Sequence, residues 1–241
     1  MSNIAIIDTN MFDIGIKKRI SKSGPELDLV NNFIEISTKD FEHEVNKLAV
    51  FMEPLVDTFY PDIVFAEYDP KILDEWKPAR NVINTKDIKI LENIRAMNGT
   101  NSKDIVSKTS FLYKDIMKAV ERLLDAELLC REDGQWKAKS ISETYFIKRL
   151  VSIEAKINNW KTLLKQANTN KWFASESYAL TPIKKPMQNT IQPFKDYGIG
   201  VYSLTNNEIV ELNKASKQPL PTSYMSWMFN EWVGRYMTCH Q

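Results

Sequence analysis

The chain is poor in the residues that build disulfide frameworks, zinc sites and histidine-dependent catalytic sites. Its 241 residues include two cysteines, Cys130 and Cys239, and two histidines, His43 and His240. Two cysteines are too few for a disulfide framework, and these two are not spaced as metal ligands. So few histidines exclude a histidine-rich zinc centre and disfavour a Ser–His–Asp triad.

Long apolar runs and an excess of one charge are also missing. No apolar run approaches the length of a membrane span, and the opening "MSNIAIIDTN" has no basic leader before its short apolar stretch. We therefore expect no membrane partner and no signal peptide, and we predict a cytoplasmic location. The net charge of +1 indicates nothing about partners, whereas 43% hydrophobic and 26% charged residues are typical of a globular protein.

The first third of the chain shows mixed apolar patterns. Two short apolar runs within residues 1–37 predict edge strands or a hairpin, and apolar spacing predicts a helix over residues 40–59. The segment "PDIVFAEYDP", residues 61–70, predicts a buried strand between two prolines.

Residues 85–139 have the pattern of three helices followed by a β-hairpin at Asp133–Gly134. This order of elements is the outline of a winged helix-turn-helix. Lys114, Lys118 and Arg122 recur every four residues on the polar side of the third helix. With Lys137 on the hairpin, they predict contacts with DNA phosphates. A protein-interaction module is the alternative for such a domain.

The segment "VSIEAKINNWKTLLKQANTNKWFASESYALTP", residues 151–182, begins with the period-two alternation of a strand. Glu154 and Lys156 therefore project from one face of that strand. Between Thr144 and Phe173 a single acid, Glu154, stands among six basic residues: Lys148, Arg149, Lys156, Lys161, Lys165 and Lys171. This local excess suggests an anionic ligand, with Lys161 and Lys165 of the following helix on DNA. The plain alternative is a surface ion pair on a solvated face.

These residues resemble the core of the PD-(D/E)xK nuclease superfamily, the restriction-endonuclease-like fold. The resemblance rests on Glu154-Ala155-Lys156 ending a strand, on the helix from Trp160 to Trp172 with Gln166, and on the strand-like "YALTP" and "YGIGVYSL". It implies that Glu154 and the intervening carbonyl bind a divalent cation such as Mg²⁺ and that Lys156 positions or activates water. A helix glutamine like Gln166 recurs in the RecB-like branch of the superfamily.

The implied fold class is α/β (α+β), a restriction-endonuclease-like core with an inserted winged helix-turn-helix. The expected core comprises residues 1–84 and 140–241 with a C-terminal helix, and the insertion comprises residues 85–139. The expected function is Mg-dependent hydrolysis of DNA, with a homodimer through the aromatic C-terminal helix as a further expectation. The alternative is a catalytically silent nuclease fold that acts as a winged-helix DNA-binding regulator or a protein-interaction module.

One part of the superfamily pattern has no obvious match. The superfamily pattern requires an aspartate at the end of a strand shortly before the Glu-x-Lys strand, but "SETYFIKRLVSIEAK" contains no aspartate. We expect Asp69, after the strand at 61–70, to complete the metal site with Glu154; Asp62, Glu67 and Glu143 are the alternatives. A more distant resemblance links "IAIIDTN" to the first strand of PIN-domain ribonucleases, which would make Asp8 a metal ligand.

Overall fold

The computed structural model describes residues 3–7, 14–20, 23–39, 41 and 45–239. Asp8 and both histidines lie outside these residues, so the PIN-domain alternative is not addressed by the structure. The chain divides into two compact units, Met1–Asp69 with Ile147–Ser223 and Pro70–Phe146 with Tyr224–Gln241.

Helices and strands alternate in the way expected for an α/β protein. The strands of the described residues are β1 (Ile4–Ile7), β2 (Lys47–Met52), β3 (Ile63–Tyr68), β4 (Leu129–Glu132), β5 (Gln135–Ala138), β6 (Ile147–Ala155), β7 (Glu176–Thr181), β8 (Gly200–Thr205) and β9 (Glu208–Asn213). The α-helices in the same part of the chain are α1 (Pro25–Lys39), α2 (Ile72–Glu75), α3 (Thr85–Ala96), α4 (Ser102–Lys108), α5 (Tyr113–Asp125), α6 (Ile141–Thr144), α7 (Trp160–Asn170), α8 (Gln188–Asp196) and α9 (Tyr224–Cys239). A 3-10 helix spans Pro78–Val82.

The first unit is built on a seven-stranded mixed sheet with the order β1-β2-β3-β6-β7-β8-β9. Strands β1, β2, β6, β7 and β8 run in one direction, and β3 and β9 run against them. The ends of β2, β6, β7 and β8 therefore share one edge of the sheet with the start of β3. Polar residues that follow or precede these strands meet at that edge.

Two apolar layers cover the sheet of the first unit. On one face α1 buries Leu29, Val30, Phe33 and Ile34 against the strands. On the other face α7 and α8 contribute Leu163, Ala167, Ile191 and Phe194 to a second cluster with Ala179 and Val201. The alternation of side chains along β6 sends Ile153 to the α1 face and Glu154 to the α7 face.

The second unit contains α2 to α6, the 3-10 helix, the β4-β5 hairpin and α9. Asp133 and Gly134 turn the hairpin with φ of 50° and 73°, which is the left-handed backbone of a tight two-residue turn. Eleven consecutive residues of α9, Met225 to Arg235, are buried. The C-terminal helix therefore belongs to this unit and not, as expected from the sequence, to the sheet-containing one.

Two expectations for the first third of the chain are wrong. Residues 47–52, expected within a helix, form strand β2, an interior strand of the sheet whose four middle residues are all buried. The apolar run at 29–36, expected as a strand, lies in α1. The buried strand expected at 61–70 is present as β3.

None of the helices in the described residues has the length and apolarity needed to cross a membrane.

Candidate active site

The antiparallel pairing of β3 with β6 brings Asp62 to Glu154. Ile63 lies opposite Ile153, so the residue before β3 meets the end of β6. The Ala155 N–H donates a hydrogen bond of 2.8 Å to Oδ2 of Asp62. Asp62, named above as an alternative, is thus the carboxylate beside Glu154-Ala155-Lys156.

Asp69, the preferred partner of Glu154 in the sequence analysis, lies at the wrong end of β3. Tyr68 is paired with Ile147 at the start of β6. At about 3.3 Å per residue, the length of β3 separates Asp69 from Glu154 by roughly 20 Å. Its carboxylate instead forms an ion pair with Lys148, with Oδ2 3.3 Å from Nζ.

The other two carboxylates considered are also placed elsewhere. Glu67 lies opposite Arg149 and accepts a hydrogen bond of 2.7 Å from the amide of Asn46. Glu143 belongs to α6 of the second unit, where it caps the helix by accepting from the Ser140 N–H.

Glu154 is 1% exposed, and its two carboxylate oxygens have different surroundings. Oε1 accepts a hydrogen bond of 2.8 Å from Nδ2 of Asn170. Oε2 is buried without a hydrogen-bond partner, as is Oε1 of Gln166 on the same helix α7. Buried acceptors without partners are rare in folded proteins and indicate a missing ligand, ion or water.

Burial raises the pKa of both neighbouring carboxyl groups. Burial, and next the negative charge of Asp62, raise the pKa of Glu154 to about 8, although the Asn170 hydrogen bond opposes the shift. Burial also raises the pKa of Asp62, against the effect of the Ala155 N–H. The pair therefore retains a proton near neutral pH, and a cation placed between the two groups would release it.

Lys156 lies at the same edge but is engaged in contacts of its own. Its Nζ is 2.9 Å from Oε2 of Glu26 at the start of α1 and 2.9 Å from the Ala155 carbonyl oxygen. The side chain is 18% exposed. A phosphate that reached Lys156 would compete with the carboxylate of Glu26.

Four polar residues of the site were missed by the sequence analysis: Arg19, Glu26, Glu53 and Asn170. Arg19 donates through Nε to Oε2 of Glu53 at 2.7 Å, and its Nη2 is 3.9 Å from Oδ1 of Asp62. Asn170 could have been found, because it lies four residues after Gln166 and therefore on the same side of α7. Arg19 and Glu53 carry no comparable signal in the sequence.

A cavity of about 440 Å³ opens at this group of residues. It is lined by Arg19, Ile20, Glu26, Leu27, Val30, Met52, Glu53, Asp62, Lys156 and Gln166. The residues come from α1, α7 and the edge of the sheet, all within the first unit.

The basic residues predicted to contact DNA are dispersed. Lys114 and Lys118 are exposed on α5, and Lys161 and Lys165 are exposed on α7. Arg122 instead donates through Nε to Oδ2 of the buried Asp87 at 2.9 Å, and Lys137 pairs with Glu132 at 2.9 Å. Arg149 forms two hydrogen bonds of 2.7 Å with Glu176. The expected basic field is therefore partly neutralised within the fold.

Within the described residues no three side chains of the His, Cys, Asp and Glu types are grouped so that they could hold a metal ion. Asp62 and Glu154 supply two carboxylates, and Mg²⁺ is usually bound through one or two carboxylates, with waters and substrate phosphates completing its shell. The partnerless Oε2 of Glu154 and the raised pKa values of both carboxyls fit a cation at this point. The residues present therefore suit Mg²⁺ better than a metal that needs a complete protein cage.

The main feature of the site is that Asp62 lies beside Glu154-Ala155-Lys156 at one edge of the sheet. Comparison of the chain with protein-family models, with curated proteins and with solved structures finds no match.

Proposed function

We propose that the first unit is a PD-(D/E)xK nuclease domain and that the protein hydrolyses DNA with the help of Mg²⁺. The observation that carries this proposal is the meeting of Pro61-Asp62 with Glu154-Ala155-Lys156 at one edge of the sheet. Asp62 and Glu154, from the two halves of the superfamily motif, are 92 residues apart in the chain, with the Pro70–Phe146 segment of the second unit between them. That distance explains why no aspartate could be found near Glu154 in the sequence.

In this proposal Asp62 and Glu154 hold the cation. Oε2 of Glu154 is the oxygen available to it, because Oε1 is held by Asn170. The bound ion would polarise the phosphate and lower the pKa of a water molecule. The carbonyl oxygen of Ala155, implied as a further ligand, now accepts a hydrogen bond from Lys156.

Lys156 and Gln166 would act directly on the phosphate and the water. The Lys156 ammonium stabilises the negative charge that develops on the phosphate once it exchanges Glu26 for the substrate. The buried, partnerless Oε1 of Gln166 can accept a hydrogen bond from a water and so orient it. Lys161 and Lys165, exposed on the same helix, would contact neighbouring phosphates.

The test of catalysis compares two aspartates at opposite ends of β3. We expect Asp62→Asn, Glu154→Gln and Lys156→Ala to reduce Mg-dependent cleavage of DNA by a factor of at least about 10²–10³. Asp69→Asn is the matched control, since it removes a carboxylate from the same strand and should leave cleavage unchanged. Cleavage is measured on single- and double-stranded DNA with Mg²⁺ or Mn²⁺.

The melting temperature of each variant separates loss of chemistry from loss of fold. Lys156→Ala should melt close to the wild type, because its ion pair with the half-exposed Glu26 contributes only about 0–1 kcal/mol. A wild-type protein that cuts no DNA under any of these conditions would refute the catalytic proposal. Equal loss of activity in Asp69→Asn would refute the assignment of Asp62.

For the second unit we propose the winged helix-turn-helix expected from the sequence, with DNA as its partner. Helices α3, α4 and α5 followed by the β4-β5 hairpin support it. Lys114 and Lys118 would contact phosphates, but Arg122 is withdrawn from this set because it is bonded to Asp87.

A catalytically silent regulator or interaction module is the second candidate. It is favoured by Leu112 and Tyr113, which are 72% and 58% exposed at the start of α5 and offer an apolar contact surface. A homodimer stays a prediction, and α9 is a poor route to it because residues 225–235 are buried within one chain.

A further inference from the structure

The cavity at the carboxylate site has two chemically different walls. Its polar wall includes Asp62, Lys156 and Gln166, with Arg19, Glu26 and Glu53 around them. Its apolar wall is formed by Leu27 and Val30 of α1 and by Met52 at the end of β2, with Ile20 beside them. The residues proposed for phosphodiester hydrolysis all belong to the polar wall or lie next to it. The apolar wall has no part in that chemistry and is therefore available to contact another part of the substrate.

The two walls meet because the cavity lies at the edge of the sheet. Met52 at the end of β2 is paired with Ile63, and the backbone N–H of Glu53 donates a hydrogen bond of 3.1 Å to the carbonyl oxygen of Asp62. Leu27 and Val30 are three residues apart and therefore lie on one side of α1. A ligand that fills this cavity would have a charged part at Asp62 and an apolar part at α1.

We infer that the cavity receives a single unpaired nucleotide, whose base lies on the Leu27–Val30–Met52 wall and whose phosphate lies at Asp62 and Lys156. This inference rests on the proposed nuclease function and names its substrate class. The volume of about 440 Å³ is within the range of roughly 300–1,000 Å³ typical of small-molecule sites. A base inside a duplex is stacked and paired, and it reaches such a cavity only when it is extruded or already unpaired.

The charges in the cavity determine how the phosphate enters. Among the described residues that line it, Glu26, Glu53 and Asp62 are acidic, and Arg19 and Lys156 are the two cationic ones. Both cations are already paired, Arg19 with Glu53 and Lys156 with Glu26. A phosphate therefore needs a divalent cation with it, and binding should be measured in Ca²⁺, which occupies oxygen sites of this kind.

Filling the apolar wall tests the inference without touching the carboxylates. Leu27→Trp places a large side chain in the cavity from a partly buried position of α1. Ile36→Trp is the matched control, because Ile36 is a partly buried apolar residue of the same helix that lines a different cavity. Both variants are first checked for a melting temperature near that of the wild type, and Leu27→Phe replaces Leu27→Trp if the latter does not fold.

Binding is measured by fluorescence anisotropy in Ca²⁺ with three DNAs of one sequence: the single strand, the perfect duplex, and the duplex with one unpaired nucleotide. We expect Leu27→Trp to weaken binding of the two DNAs that offer an unpaired base by at least about tenfold. Its affinity for the perfect duplex should be unchanged, and Ile36→Trp should bind all three as the wild type does.

Two results would overturn the inference. The first is that the wild-type protein binds or cuts the perfect duplex as well as it binds or cuts the single strand. The second is that Leu27→Trp loses affinity equally for all three DNAs, or loses affinity for none of them. If either result is obtained and cleavage of the duplex still depends on Mg²⁺ and on Asp62, the proposed nuclease function stands. Only the inference that the cavity binds an unpaired nucleotide is then refuted. Selective, Leu27-dependent binding of the single strand by a protein that cuts nothing would support the nucleotide site and refute catalysis.

Discussion

Asp62 and Glu154 form a buried carboxyl pair whose ionisation depends on their surroundings. An ionised carboxylate that leaves water without a partner is strongly destabilised, so the protein keeps a proton on the pair. Burial, and next the charge of Asp62, accordingly raise the pKa of Glu154 to about 8. In the unfolded chain the same carboxyl ionises near its ordinary value of 4.5.

This shift predicts how stability depends on pH in the absence of divalent cations. Because the folded pKa of Glu154 lies above the unfolded pKa, the folded state binds more protons between about pH 4.5 and pH 8. The contribution of Glu154 to the free energy of unfolding should therefore fall as the pH rises through this window and level off above it. Glu154→Gln, which stays neutral, should remove this fall, as measured by urea denaturation at a series of pH values in EDTA.

The control for this measurement is Asp69→Asn, which should retain the pH dependence of the wild type. Addition of Mg²⁺ should restore stability to the wild type above pH 7, and it should do so far less in Glu154→Gln. A Glu154→Gln variant with an unchanged pH profile would mean that Glu154 ionises in the fold as it does in water.

At the scale of single elements, α5 separates residues that hold the second unit together from residues free to contact DNA. Arg122 is bonded to Asp87, whose side chain is 0% exposed. Asp87 also accepts a hydrogen bond from the Asn84 N–H at the start of α3. Lys114 and Lys118 have exposed side chains on the same helix.

We therefore predict different outcomes for the two kinds of substitution on α5. The double variant Lys114→Ala/Lys118→Ala should keep its melting temperature and bind duplex DNA more weakly, with the slope of log K against log salt reduced by about 2. Arg122→Ala should lower the free energy of unfolding by on the order of 1–3 kcal/mol, because it leaves Asp87 buried without its main donor.

Two measurements check these predictions, namely DNA affinity over a range of salt concentrations and thermal melting. An unchanged salt slope in the double variant would show that α5 does not carry the DNA. Melting of the double variant at a lower temperature would show instead that the two lysines stabilise the fold.

The same scale shows which parts of the molecule could be predicted from sequence. Strands β3 and β6, helix α7 and the hairpin turn were predicted because alternation, helical spacing and Asp-Gly are strong local signals. Strand β2 was mistaken for a helix because both faces of this interior strand are buried. Its sequence is therefore a continuous apolar run and lacks the alternation of apolar and polar residues that marks a half-buried strand. The register of β2 with β3 depends on residues that are far apart in the sequence, so it cannot be predicted from the pattern of either strand alone.

Only those residues of the candidate site that lie close to one another in the sequence could be predicted. Glu154, Lys156 and Gln166 lie within thirteen residues of one another and were found together. Asp62 and Asp69 flank the same strand, and only the antiparallel pairing of β3 with β6 decides which of them meets Glu154. Arg19 and Glu53 come from further segments, and their participation depends on the whole sheet edge.

At the scale of the whole molecule, the second unit is assembled from two distant segments of the chain. Arg80, 3% exposed, donates to Glu231 of α9 through Nε at 3.0 Å and also through Nη2. The Phe146 N–H donates to Oδ1 of Asn230 at 2.7 Å. Helix α9 thus supplies core residues to the second unit and also Glu231, the ion-pair partner of the buried Arg80. The other elements of this unit lie more than 70 residues earlier in the chain.

This assembly predicts a selective effect when the chain is ended at Ser223. Loss of α9 removes Glu231, the ion-pair partner of Arg80, together with the eleven residues that α9 buries, so the second unit should be strongly destabilised. Hydrogen exchange should show faster exchange in α3 and the 3-10 helix, whose packing partner is gone. Strands β6 and β7 should keep their protection, because their partners β3 and β8 belong to the first unit.

A variant that keeps the length of the chain gives the matched comparison. Glu231→Gln preserves the shape of α9 but removes its charge, so it should produce a weaker form of the same pattern, confined to the second unit. If both changes instead accelerate exchange in β6 and β7 as much as in α3, the two units unfold together. The second unit would then depend on the first for its stability and could not serve as the separately folding DNA-binding module proposed above.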